Sequence, residues 1–264
     1  MKHRHWILTI LFVTALSAMF AGAPLAKPPV SEQPAEDEEF DQTAPDTPLP
    51  PGIKERVFIH LPRAHKPGHL GTCTQTTNAG INDYGLAGWR LPDAGITWRL
   101  NPSTVPSSVG VPAAVTALTA AFATWTAADE KEKFFQGANT SVNRSRLDFV
   151  NAVFWGKVSA GAIAITYIRY YTATGIVADV DTVFNSRYPW AVFNPISDSE
   201  CQSTPDAYDV ENIAVHEFGH WVGLDDLYDV LDKDLTMYGY GAGGELKKRT
   251  LGTGDITGVN EVAP

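Results

Sequence analysis

The chain has 264 residues, of which 44% are apolar, and it carries a formal net charge of −10. This length allows one sizeable domain with a buried core, and the apolar share is ordinary for a globular protein. Residues 53–264 hold 17 basic and 23 acidic side chains without a basic stripe, so the composition argues against a nucleic-acid-binding protein.

Residues 1–26 have the layout of a secretory signal peptide. Lys2 and Arg4 precede the uncharged stretch 6–26, whose end is rich in small residues. The alternative is an uncleaved membrane anchor, because 21 uncharged residues can just span a bilayer. The small residues favour cleavage, so we expect a secreted, extracellular protein without stable membrane association after signal removal.

Two further segments precede the main domain. Residues 27–52 contain seven prolines and seven acidic residues against one lysine, which predicts a disordered linker or propeptide. Residues 53–87 contain a strand-like run and are predicted to be an N-terminal extension or a propeptide. This segment carries His60, His65 and His69, which could bind a metal. Prolines between them break any shared helix face, which favours solvated loop histidines.

Residues 88–264 are predicted to form one domain of the α+β class. Ile96, Trp98 and Leu100 alternate with polar residues as in a half-buried strand, and an apolar-faced helix over 112–128 follows. Segments 147–158, 162–171 and 176–184 are β-rich. Within the last one, Asp179 and Asp181 point to the same side, so Ca²⁺ could bind there, although a solvated face is the favoured interpretation.

A pair of histidines in the next segment indicates a metal-binding site. Asp209 suits the N-cap of a helix over 210–222, on which His216 and His220 lie four residues apart and share a face. Two neutral imidazoles at this spacing can hold one zinc ion, with Glu217 beside it as a general base. Gly223 can end the helix, and the returning chain can present Asp226 as a third ligand.

Two alternatives to this zinc site remain: an ordinary amphipathic helix without a metal, and a zinc site with a different third ligand. Two histidines at this spacing also occur on ordinary amphipathic helices, but Gly223, Asp226 and Met237 in a downstream turn favour the metal. The other aspartates of segment 225–234 are expected to form a solvated acidic loop, with Asp225 as the substitute if Asp226 is not the third ligand.

Residues 216–226 resemble the metzincin motif His-Glu-x-x-His-x-x-Gly-x-x-His, with Asp226 in place of the third histidine. The bacterial matrixins are the most similar family, and segments 95–102, 112–128, 180–185 and 247–259 resemble its first strand, first helix, cleft strand and final helix. An aspartate as third ligand also resembles snapalysin. The resemblance implies a metzincin-like catalytic domain: a mixed twisted β-sheet, a long N-terminal helix, a zinc-binding helix, a Met-turn at Met237 and a C-terminal helix.

The chain departs from the matrixin pattern at two points. It has no histidine between His69 and His216, so the structural zinc of that family is expected to be absent, and the inhibitory motif Pro-Arg-Cys-Gly is missing. In an oxidising compartment, Cys73 and Cys201 would form one disulfide. The alternatives are that Cys73 is an inhibitory zinc ligand or that both thiols are free.

These observations predict a secreted zinc endopeptidase in which Glu217 activates water. An extended protein or peptide substrate is expected to lie in a cleft along strand 176–184 by β-addition. The alternative is a secreted, non-catalytic binding protein that keeps the fold.

Overall fold

The computed structural model describes residues 48–63, 80–158, 161–194 and 206–262. These residues form a seven-stranded mixed sheet, a separate two-stranded sheet and helices, so the predicted α+β class with a mixed sheet is confirmed. The strands are β1 (Ile53–Pro62), β2 (Ile96–Leu100), β3 (Phe134–Gln136), β4 (Asn151–Gly156), β5 (Ala164–Tyr171), β6 (Val177–Asn185), β7 (Trp190–Ala191), β8 (Tyr208–Asp209) and β9 (Tyr240–Gly241). The α-helices are α1 (Val111–Ala128), α2 (Val210–Trp221) and α3 (Thr253–Glu261), and short 3-10 turns occur at Pro102–Thr104, Val230–Asp232 and Lys247–Arg249.

The larger sheet has the strand order β3-β2-β4-β6-β5-β1-β9. Strands β3, β2, β4 and β6 pair in parallel, whereas β5 is antiparallel to both of its neighbours, β6 and β1. At the far side, the end of β1 pairs in parallel with β9. The sheet is therefore mixed because β5 reverses direction within it.

Strand β6 is interior, which corrects one expectation. It pairs with β4 on one side and with β5 on the other, so its backbone groups are already used. The prediction that a substrate adds to strand 176–184 is therefore wrong.

The expectation of a solvated face on β6 is also wrong. Asp179 and Asp181 are fully buried, and the guanidinium of Arg169 lies 2.6 Å and 3.0 Å from their carboxylates. Ser145 Oγ also donates to Asp181 at 3.0 Å. Burial raises the pKa of Asp181 to about 7, with the neighbouring Asp179 as the second cause. Because both carboxylates already pair with the guanidinium of Arg169, the described residues give no support to the Ca²⁺ expectation.

Helices α1 and α2 pack against each other and form the centre of the core. The rings of Phe122 and Phe218 are stacked with centroids 3.7 Å apart. The indole of Trp125 is buried and donates a hydrogen bond to the carbonyl of Val215 at 2.8 Å. Burying one such aromatic side chain stabilises the fold by roughly 1.5–3 kcal/mol, so this pairing fixes the position of α2.

Helix α1 is also the one helix in the described part of the chain that is long and apolar enough to cross a membrane. Six of its residues are nevertheless buried in the hydrophobic core, including Leu118, Phe122 and Trp125. The packing therefore assigns α1 to the protein core. The predicted signal peptide, residues 1–26, lies outside the described residues.

The remaining elements match the sequence pattern with shifted ends. The helix predicted over 112–128 is α1, and the helix predicted over 210–222 is α2. The segment 247–259 is only partly helical, because a 3-10 turn over Lys247–Arg249 comes before α3. The strand-like run near His60 extends over ten residues as β1.

Candidate metal centre

Helix α2 begins at a well-formed N-cap and places two imidazoles together. The carboxylate of Asp209 accepts a hydrogen bond from the backbone N–H of Asn212 at 2.7 Å, and Arg249 holds the same carboxylate from the other side at 2.7 Å and 2.8 Å. One turn of helix separates His216 from His220, and both side chains are buried. The cap thus fixes the N-terminal end of α2, the helix that carries both imidazoles.

Gly223 reverses the chain directly after α2. Its φ of +99° lies in the left-handed region, and a Cβ at this position would come within 2.3 Å of the carbonyl oxygen of Trp89. Glycine is therefore required both for the backbone conformation and for the close approach of another segment. This reversal brings Asp226 back to the imidazoles.

The three predicted ligands converge in the structure. Oδ1 of Asp226 lies 3.2 Å from Nε2 of His216 and 3.7 Å from Nε2 of His220. One ligand atom from each of the three residues lies within 4.8 Å of the others, as a shared metal ion requires. Asp225 points elsewhere and pairs with Arg56 at 3.1 Å, so it is not part of this group.

Hydrogen bonds orient both imidazoles toward the common point. Nδ1 of His216 donates to the carbonyl of Thr236 at 2.7 Å, and Nδ1 of His220 donates to the carbonyl of Leu224 at 2.9 Å. A carbonyl can only accept, so each ring carries its proton on Nδ1 and directs the lone pair of Nε2 toward Asp226. This is the tautomer that a metal ligand needs.

The charge states and unsatisfied atoms also fit a zinc ion. Burial lowers the pKa of His216 well below its ordinary value and that of His220 to about 4, so both rings are neutral. Burial also raises the pKa of Asp226. Nε2 of His216 and Oδ1 of Asp226 are buried without a hydrogen-bond partner among the described residues. Such atoms are costly unless a ligand binds them, and two imidazoles with one carboxylate are a zinc-binding set.

Met237 packs against helix α2 at Gly219. A Cβ on Gly219, which lies between His216 and His220 on α2, would come within 2.2 Å of the sulfur of Met237. The backbone N–H of Tyr238 bonds to the carbonyl of Leu235 at 3.3 Å, so Met237 lies in a turn. The thioether therefore contacts the helix at a residue without a side chain.

Asp255 fixes this turn from helix α3. Its carboxylate accepts hydrogen bonds from the backbone N–H groups of Thr236 at 3.0 Å and Met237 at 3.1 Å. Because Thr236 supplies the carbonyl that orients His216, Asp255 supports the imidazole through the turn.

Lys248 is a buried lysine behind the site that the sequence analysis missed. Nζ donates to the carbonyl of Thr236 at 2.8 Å and to the carbonyl of Tyr238, and it lies 3.4 Å from Nδ1 of His216. Burial lowers the pKa of Lys248 to about 7. No sequence pattern marks this residue, because its partners are backbone oxygens of a distant turn.

Glu217 is fully buried and held by two side chains. Oε1 lies 3.1 Å from Nδ1 of His60, and Oε2 accepts a hydrogen bond from the hydroxyl of Thr166 at 2.6 Å. Burial raises the pKa of Glu217 to about 8. Neither partner was named as a site residue by the sequence analysis.

The environment of His60 corrects a third expectation. The residue is 1% exposed and its ring lies 3.8 Å, centroid to centroid, from that of His216, so the interpretation as a solvated loop histidine is wrong. The signal that could have identified it is period-two burial in β1, where Phe58 and His60 face inward. His65 and His69 lie outside the described residues, as do Cys73 and Cys201.

The acidic loop after Gly223 is only partly solvated. Asp232 is 3% exposed, in contrast to the expectation of a fully solvated loop. The phenol of Tyr228 donates to Oδ2 of Asp226 at 3.2 Å and so leaves Oδ1 directed at the histidines. Tyr228 is thus a further supporting residue that the sequence analysis did not identify.

Comparison with known proteins gives no family for this chain. No protein-family model matches the sequence, and no curated protein matches it significantly. The function is therefore inferred from the geometry of the site.

Proposed function

We propose that this protein is a secreted zinc-dependent endopeptidase of the metzincin type, similar to the bacterial matrixins. The convergence of His216, His220 and Asp226 carries the proposal, because two of their ligand atoms are buried without hydrogen-bond partners. The mixed sheet and the order of its helices are compatible with such a fold.

The three ligands would hold the zinc ion, which when bound polarises the scissile carbonyl and makes its water more acidic. Two imidazoles are held rigidly by α2, whereas Asp226 arrives from the segment after Gly223. One carboxylate among three ligands partly neutralises the metal, so we expect a weaker Lewis acid than with three histidines. Two histidines and a carboxylate nevertheless form a working catalytic set.

Glu217 would act as the general base. It follows His216 directly on α2, so the same helix fixes its position relative to the ligands. Because burial raises the pKa of Glu217 to about 8, only its ionised form acts as the base. That carboxylate accepts a proton from the attacking water as the water oxygen bonds to the carbonyl carbon. The same proton passes to the amide nitrogen as the C–N bond breaks, which releases a carboxylate and an amine.

One observation favours a second candidate, a secreted binding protein without catalysis. Both oxygens of Glu217 are engaged, one with His60 and one with Thr166. A carboxylate that is permanently held in this way would not exchange protons with water, and the metal would then be structural.

A fluorogenic peptide-library assay separates the two candidates. We expect hydrolysis with zinc, loss of hydrolysis with a chelator, and recovery when zinc is added back. Glu217→Gln should retain zinc but lose turnover, and Glu130→Gln, at an exposed position, is the matched control. Zinc binding without hydrolysis under any condition would favour the binding protein.

A further inference from the structure

Strand β1 lies directly on the candidate metal centre. The ring of Phe58 is stacked on that of His220 with centroids 3.8 Å apart and an interplanar angle of 16°. Two residues later, the ring of His60 lies 3.8 Å from that of His216. Successive inward-facing side chains of one strand therefore cover both imidazoles.

The same strand engages the proposed general base. His60 lies 3.1 Å from Oε1 of Glu217, and Thr166 on β5 occupies Oε2. Glu217 has no exposed surface. A substrate carbonyl and its attacking water need access to this carboxylate, and β1 occupies that space.

The backbone of β1 is bound as an extended peptide would be. It runs antiparallel to β5 over eight residue pairs, from Ile53–Tyr171 to His60–Ala164. Its C-terminal end then pairs in parallel with β9, which follows the turn at Met237. A peptide that adds to a sheet edge gains main-chain hydrogen bonds in the same way, with alternate side chains entering pockets.

Side chains anchor β1 at several points besides its backbone, including an ion pair between Glu55 and the buried Arg169 at 2.7 Å. Phe58 and His60 are its fully buried side chains, and the remaining residues are partly or largely exposed. The guanidinium of Arg56 pairs with Asp225 at 3.1 Å and lies 4.9 Å from the centre of the Phe58 ring. The two fully buried side chains of the strand therefore lie at the metal centre, whereas ion pairs hold its N-terminal half.

We propose that β1 is a blocking strand, in which residues 53–62 fill the substrate groove between β5 and β9 and keep the peptidase activity at a low basal level. This inference rests on the proposed peptidase function. Full activity requires β1 to leave, which exposes the edge of β5 and frees Glu217 from His60. The groove then accepts an extended peptide whose side chains two residues apart contact the rings of His220 and His216.

The test uses the full-length chain with Phe58→Ala and His60→Ala combined. Val57→Ala is the matched control, because Val57 is 44% exposed on the same strand. Hydrogen exchange is measured on β1, with α1 as the reference for folding. Binding of a labelled peptide with the sequence of residues 53–62 and cleavage of the peptide library are measured on the same samples with zinc.

The double variant should exchange its β1 amides at least about tenfold faster than the wild type, because a buried aromatic side chain is lost. Protection of α1 should be unchanged. The labelled peptide should bind the double variant but not the wild type, and cleavage should rise by at least about tenfold, as for a minor open state that becomes dominant. Val57→Ala should behave as the wild type in all three measurements.

Ile59→Pro provides a second variant if the double variant loses protection in α1. Proline cannot donate a backbone hydrogen bond and so loosens the strand, whereas the identities of Phe58 and His60 are unchanged. The same increase in exchange, peptide binding and cleavage is expected.

Two results would overturn the blocking role. One is a wild-type chain that cleaves as fast as the loosened variants while its β1 amides stay protected, a result that leaves the peptidase function intact. The other is a loosened β1 without binding of the labelled peptide. Binding of that peptide without hydrolysis by any variant would instead overturn the peptidase proposal and leave β1 as the occupant of a peptide-binding groove.

Discussion

The carbonyl of Thr236 accepts the Nδ1 proton of His216 at 2.7 Å, although the two residues belong to different elements. The N–H of Thr236 is in turn bound by the carboxylate of Asp255 at 3.0 Å. Helix α3 therefore controls the orientation of a proposed metal ligand on α2 through one residue of the intervening turn.

Asp255→Ala should weaken both the fold and the metal site. Its carboxylate accepts three backbone N–H groups, from Thr236, Met237 and Gly252, and their loss should cost roughly 2–5 kcal/mol of unfolding free energy. Zinc affinity should fall by about 10–100-fold, as for other residues that orient a ligand. Urea denaturation and zinc titration measure the two effects. Asp93→Ala, at a side chain that is 86% exposed, should change neither, and unchanged zinc affinity in Asp255→Ala would contradict the prediction.

Asp226→Ala should lose zinc more readily than Asp225→Ala. Oδ1 of Asp226 is one of the three converging ligand atoms, whereas Asp225 is paired with Arg56. We expect the affinity of Asp226→Ala to fall beyond the roughly 10–100-fold typical of a supporting residue. Competition with a chromogenic chelator measures this affinity. Equal losses in the two variants would mean that the third ligand has been assigned wrongly.

Gly223→Ala should destabilise the protein more than Gly88→Ala. Both glycines have a positive φ, +99° and +92°, so both substitutions carry a backbone cost of roughly 1–2 kcal/mol. A Cβ at position 88 meets nothing within 4 Å, but at position 223 it approaches the carbonyl of Trp89 to 2.3 Å. The additional clash should bring the total for Gly223→Ala to about 3 kcal/mol or more. Urea denaturation gives the loss of unfolding free energy in both variants, and the difference between them measures the clash. Equal losses would show that the close approach of Trp89 to Gly223 is not maintained in solution.

Glu132→Gln should change the pH dependence of stability. Burial raises the pKa of Glu132 to about 7, with repulsion from Asp129 as the second cause, and Oε2 has no hydrogen-bond partner among the described residues. The native state therefore binds a proton between about pH 4.5 and 7 that the unfolded chain releases, so stability falls as the pH rises through this window.

At pH 8 the glutamine variant should therefore be more stable than the wild type, by up to about 3 kcal/mol. At pH 4 the two should be similar. Urea denaturation across this pH range provides the measurement, and Glu130→Gln, on an exposed neighbour, should follow the wild-type curve. A wild-type curve that is flat from pH 4.5 to 7 would refute the prediction.

Local patterns in the sequence were sufficient for several elements. The alternation at Ile96, Trp98 and Leu100 corresponds to β2, and the apolar spacing after Pro112 corresponds to α1. Asp209 caps α2 as its residue type suggests, and Gly223 has the left-handed conformation expected after a helix. Such features depend on neighbours within a few residues, which a sequence displays directly.

The sequence did not show which distant segments pair with one another. The buried aspartates of β6 resembled a solvated face, because the sequence does not show that Arg169 on β5 lies opposite them. Likewise, β6 could be recognised as a strand but not as an interior one, since its neighbours are set by the topology of the whole sheet.

The sequence by itself determined that His216, Glu217 and His220 share one helix, because a four-residue spacing is a local property of helical geometry. Only the tertiary structure decided what meets that helix. It brings Asp226 back after Gly223, places Lys248 and Asp255 behind the site, and lays His60 across Glu217. These contacts join residues far apart in the chain, and their energies come from burial and from complementary polar groups that exist only once the core has packed.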